Sequence, residues 1–161
     1  MKMNWYVLHV FTGSELEVQR QLREHNLTAI VIQETYVFRR GGKWHNQLHA
    51  LFPGYVFVYM DYTPETHYII KRIPGAIRLL PKEKPQPLPP EESARLVSGY
   101  TDDILPLSKV DFSGDSLRII DGPLKEWEDY IVKIDRHRRR AHLRMPVLGE
   151  SKDITLFIEP V

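Results

Sequence analysis

The chain has 161 residues, 42% of them hydrophobic, with no cysteine and a formal charge of +1. That composition fits one medium or two small soluble domains and excludes disulfides, thiolate metal sites and a membrane span. The opening, Met1 to Val7, has one charge and an alternating apolar and polar run without the apolar core of a signal peptide, so a cytoplasmic protein is expected.

Trp5 to Val10 reads as a strand, and Ser14-Glu15-Leu16-Glu17 as a capping box that starts a helix with Leu16, Val18 and Leu22 on its apolar stripe. Asn26 is suited to end that helix in the left-handed region. Strands follow at Ala29 to Gln33 and Thr35 to Arg40, then a Gly41-Gly42 turn and a strand from Gln47 into Tyr55–Met60. Pro64 opens a second helix through Arg72. The proline-rich run PKEKPQPLPP, Pro81 to Pro90, is a surface connection, and a short helical pattern covers Glu91 to Tyr100. The division that results is a first domain at 1–99, a linker at 100–110 and a second domain at 111–161.

The second domain is rich in β-branched residues and turn residues, with no sustained helical period. Its expected strands lie around the Asp121-Gly122-Pro123 turn and from Tyr130 to Asp135, with an interior of Leu117, Ile119, Ile131, Ile134, Leu143, Ile154, Leu156 and Ile158. About fifty residues is near the lower limit for independent folding, so this core must be small and tight. Directly after Asp135 comes Arg136-His137-Arg138-Arg139-Arg140, a positive hairpin tip suited to phosphate. Lys125, Trp127, Lys133, Arg144 and Lys152 fall on adjacent loops or strands and complete a candidate RNA surface. Arginine forks pair bidentately with phosphate, and Trp127 offers either a stacking ring or a core plug.

Five marks, in order, resemble the NusG family of transcription elongation factors: WYVLHVFTGSE with its following helix, RRGGKW, LFPGYVFV, IIKRIPGAIRLL and the KOW-type GDSLRIIDGP. The resemblance covers nearly the whole chain. It implies an α+β fold, with a NusG N-terminal α/β sandwich followed by a small all-β KOW (SH3-like) barrel, and a monomer. It further implies that the first domain binds the clamp helices of RNA polymerase, with Phe52, Tyr55 and Phe57 of the FPGY segment in the contact pocket and Thr66 and His67 near the gate loop. Tyr6 and Phe11 join that surface on a separate ground: the aromatic side chains on adjacent strands exceed what one sheet face easily buries. By position, Arg20, Arg23, Lys71 and Arg72 are candidates for contact with non-template DNA.

Three departures set the second domain apart from a general family member. Asp129 stands where the KOW glycine is expected, and the left-handed region tolerates Asp. The segment MPVLGESKD carries Glu150 where relatives that dock Rho or a ribosomal protein commonly have arginine, and the tip after Asp135 is all basic. These features resemble the LoaP paralog group, which implies antitermination on long operons dependent on a hairpin in the nascent leader RNA. A general elongation factor whose barrel binds Rho or a ribosomal protein is the alternative. No nucleophile elbow, P-loop, paired-carboxylate motif or metal-ligand spacing is written, so neither catalysis nor a cofactor nor a metal is expected.

Overall fold

The computed structural model describes residues 1–97 and 104–161. In chain order the elements are β1 (Asn4–Val10), α1 (Glu15–Glu24), β2 (Thr28–Ile30), β3 (Gln33–Arg40), β4 (Lys43–Ala50), β5 (Tyr55–Met60), α2 (Pro64–Lys71), β6 (Ala76–Leu79), α3 (Pro90–Val97), β7 (Ile104–Leu105), β8 (Ser108–Asp111), β9 (Arg118–Asp121), α4 (Pro123–Glu126), a 3-10 turn (Glu128–Tyr130), β10 (Ile131–Asp135), β11 (Arg140–Val147) and β12 (Glu150–Pro160). Two compact units result: Met1–Ile32 with Phe52–Gly99, and Gln33–Leu51 with Tyr100–Val161. The hairpin β3–β4 thus groups with the C-terminal strands. Strands β7 and β8 occupy the second half of the segment expected as a linker, because Leu105, Ser108 and Val110 are buried there; residues 100–103 of that segment and the end of the expected third helix lie outside the described residues.

In the first unit the sheet order is β2-β5-β1-β6, with every neighbour antiparallel. Helix α1 packs on β2 and β5 through Val18, Gln19 and Leu22, and Gln19 ties the helix to β2 by donating to the Ala29 carbonyl at 3.1 Å. The expected capping box does not form. Ser14 makes no side-chain cap; instead the buried Glu15 carboxylate accepts from the amides of Gly13 at 2.6 Å and Gly54 at 2.9 Å, stapling the helix start to the turn before β5. Leu16 faces outward. A capping box does occur at α2, where Thr63 and Thr66 satisfy each other's amides. Asn26 takes the left-handed conformation expected of it, with φ of 61°.

In the second unit β3 and β4 form a hairpin closed by Gly41 and Gly42, both at positive φ, as a two-residue turn demands. The C-terminal strands form a curled five-stranded sheet, β10-β11-β12-β8-β9, in which β12 pairs antiparallel with β11 and parallel with β8. This is the SH3-like barrel of the expected α+β fold. Its core is Val110, Leu124, Trp127, Ala141, Leu143, Met145, Val147, Ile154, Leu156, Phe157 and Ile158. Leu117, expected inside, is exposed, and Ile119, Ile131 and Ile134 are half-buried, because β9 and β10 are the edge strands.

Candidate nucleic-acid interface

The turn between β10 and β11 is held by its one acid. Asp135 pairs with Arg140 in register, and its carboxylate accepts from the Arg138 amide at 3.0 Å, a bond that with the nearby positive charges holds its pKa below the ordinary value. The Ile158 amide donates to the Arg139 carbonyl at 2.9 Å, anchoring the turn on β12. Two of the turn's guanidiniums, and one from β3, lie near rings. Arg139 sits 4.4 Å from the Trp44 centroid, Arg39 lies 5.8 Å from the same ring, and Arg136 covers Phe112 at 5.2 Å. Among the described residues, none of Arg136, Arg138, Arg139 and Arg140 has a carboxylate within salt-bridge distance of its guanidinium. Arg136, His137 and Arg138 are exposed, and the Arg140 Nε is buried without a protein acceptor.

The other basic candidates divide. Lys125 on α4 and Lys133 on β10 are exposed. Arg144 pairs with Asp153 at 3.2 Å and Lys152 with Glu150 at 3.4 Å, both along the β11–β12 hairpin and away from the turn. Trp127 is 0% exposed and belongs to the barrel core, so the stacking role expected of it is corrected: no base reaches a ring sealed on all sides.

Aromatic candidates of the first unit divide the same way. Tyr6 and Phe57 are core residues, because β1 and β5 are the central strands of their sheet and are covered on both faces; Phe52, in the turn before β5, is buried too and packs edge-on against Phe57 at 5.9 Å. Phe11, 61% exposed, and the half-buried Tyr55 remain at the surface; Tyr55 lies edge-on to its cross-strand partner His9 at 6.3 Å. Thr66 is consumed by the α2 cap, while the exposed His67 shares a 2.9 Å hydrogen bond with the Tyr62 hydroxyl. Arg20 is paired with Glu17 and Glu24, and Arg23 donates twice to the Ala29 carbonyl, at 3.2 and 2.9 Å, so neither offers the unengaged charge expected for DNA. Lys71 and Arg72 are exposed.

The profile of the family described as "Transcription termination factor nusG" matches residues 3–97, more than half of the chain. The chain belongs to the NusG family. Among curated relatives, the transcription termination/antitermination protein NusG of Pseudomonas aeruginosa is 27% identical, over 97% of this chain and 96% of its own length. That of Buchnera aphidicola from Acyrthosiphon pisum is 26% identical, over 96% and 93%. The fold is also that of Thermotoga maritima NusG, solved in work on its domain interaction, with a TM-score of 0.58, 21% identity and coverage of 98% of this chain and 95% of that one.

Against the NusG pattern, Asp129 sits in the 3-10 turn and is not left-handed; the left-handed conformation falls on Gly122, at φ of 99°. A Cβ there would meet the Ser108 Cα at 2.5 Å. The MPVLGESKD segment is no loop but the end of β11, a Leu148-Gly149 turn and the start of β12. What sequence reasoning missed is the part played by β3–β4. The RRGGKW mark places Arg39, Arg40, Lys43 and Trp44 around a turn, and that mix of bases and an aromatic next to two glycines was a readable signal.

Proposed function

We propose that this NusG-family protein is an antitermination factor of the LoaP type, which holds RNA polymerase with its first unit and a structured leader RNA with the arginine turn of its barrel. The observation that carries the reading is the state of that turn. Arg136 and Arg139 rest on aromatic rings, which orient their guanidiniums while leaving N–H donors available, Arg138 is exposed, and the turn's acid is spent on a backbone amide. Lys133 and Lys125 extend the positive surface. Polymerase is bound through the face around Phe11, His9 and Tyr55, with His67 as the second contact near the gate loop and Lys71 and Arg72 toward non-template DNA. Capture of the leader raises the local concentration of the first unit near polymerase, which then stays committed to elongation.

The test is binding of a leader hairpin and a scrambled RNA to the full chain across a salt series. Preference for the hairpin, steep salt dependence and loss of binding in Arg136→Glu/Arg138→Glu/Arg139→Glu are expected, because each phosphate contact adds about one to the slope of log affinity against log salt. Equal affinity for both RNAs would return the protein to the general elongation class, with a barrel that recruits Rho or a ribosomal protein.

A further inference from the structure

Strand β3 pairs with β4 along its whole length but with β7 only at Gln33 and Glu34, so its other edge, from Tyr36 to Arg39, has no strand partner among the described residues. The arginine turn of the barrel faces that edge within the same unit, and between them lies a groove of about 440 Å³. One wall carries Phe38, Arg39 and Trp44, the other His137, Arg138 and Arg140. Among the described residues, no acidic one lines it. Phe38 stacks on His45 at 5.5 Å and on Tyr36 at 5.4 Å, so the hairpin presents a ladder of flat rings to a cationic rim.

We infer that this groove seats an unpaired nucleotide of RNA, its base against the rings of the β3–β4 hairpin and its phosphate on the arginine turn. The inference rests on the RNA reading above and adds a second structural element and a demand for single-stranded character. Three features favour a nucleotide over a peptide strand. Rings and guanidiniums alternate across the walls, the pattern on which bases stack while the backbone is neutralised. Among the described residues, the ionisable groups of the lining are basic besides the Tyr36 hydroxyl, which favours a polyanion. The buried Arg140 Nε, with no acceptor in the protein, provides a donor for a phosphate or base oxygen. A continuous duplex cannot supply the base, because its rings are already stacked on one another and its major groove is too narrow for side chains.

The experiment uses the full chain with two fluorescein-labelled RNAs of equal length, a stem with an unpaired flank and a blunt duplex. The flanked stem is expected to bind more tightly, and Phe38→Ala is expected to weaken it about tenfold while leaving duplex affinity unchanged; Trp44→Ala, which also removes the ring under Arg139, should weaken the flanked stem more than the duplex. Arg136→Glu/Arg138→Glu should weaken both. Thiouridine placed in the flank should photocrosslink to residues 33–51. Equal affinity for the two RNAs, no change on Trp44→Ala, crosslinks confined to the barrel, or tighter binding of the flank as DNA would each overturn the inference while leaving the arginine turn's role intact. Failure of the unsubstituted protein to bind either RNA would overturn both readings.

Discussion

Arginines appear in two clusters, one on α1 and one at the β10–β11 turn, and the structure treats them oppositely. On α1, Arg20 has Glu17 three residues before it and Glu24 four residues after it, and it pairs with both. At the turn, the near acid Asp135 is spent on the Arg138 amide, and Arg136 and Arg139 lie over Phe112 and Trp44. Arginines therefore make a neutralised helix face in one place and a positive turn in the other. What decides is the location of acids at helical spacing, a feature visible in sequence, together with the location of rings, which only the fold supplies.

The sharpest way to test which aromatic residues serve ligands and which serve the fold is Trp127→Ala. Removing a fully buried ring should cost about 3–5 kcal/mol and melt the barrel in urea titrations, and RNA binding should fall with it. A folded Trp127→Ala protein that had lost only RNA affinity would restore the ligand role rejected here.

A second test concerns the hairpin that carries Trp44. Glu34 and His49 are cross-strand partners joined at 2.5 Å, and burial raises the Glu34 pKa to about 8 while lowering that of His49. Below the ordinary carboxyl value of 4.5 both folded and unfolded chains hold the Glu34 proton. Between 4.5 and about 8 only the folded chain does, so stability falls as pH rises through that window and levels above it. His49 acts oppositely, since a histidine kept neutral by burial loses stability as pH falls below its ordinary 6.5. Glu34→Gln should therefore stabilise the protein by a margin that grows toward pH 8, read as melting temperature against pH; parallel curves for the two proteins would refute the buried protonated acid.

Gly122→Ala comes next, with an expected loss of about 1–3 kcal/mol, since a left-handed φ and the Ser108 backbone both oppose a Cβ. The smallest effect belongs to Arg20→Ala. Exposed ion pairs add little to stability, and a helix face already neutralised should show no change in DNA affinity by filter binding. A clear loss of DNA affinity would erase the contrast between the two clusters.

Much of the fold was legible because local chemistry and tertiary structure agree. Asn26, Gly41 and Gly42 take positive φ where turn residues were expected to, and Pro64 opens α2. Burial is less legible than local turns. Alternation along a strand shows which side chains share a face, but not whether the strand is central or at an edge. Tyr6 counts as a surplus aromatic by number and Phe57 as a contact by resemblance, yet both sit on central strands with both faces covered; Leu117 alternates as an interior residue, yet β9 is an edge. The expected strand from Gln47 through Met60 breaks at Pro53-Gly54, where the Tyr55 amide bonds the Phe52 carbonyl at 3.1 Å. At the site, the arginine turn was readable as a charge run, whereas the groove beside it required the distant β3–β4 hairpin to be brought to the same place.

Strand β12 lies at the middle of the barrel sheet, yet follows every other barrel strand in the chain. During synthesis, the arginines emerge on a two-stranded β10–β11 ribbon that is marginal by itself, and the bond that fixes the Arg139 carbonyl comes from Ile158. Of the turn's anchors, the Asp135 bond forms within that ribbon, whereas the one from Ile158 waits for β12, so the turn gains its last restraint only when the final strand docks.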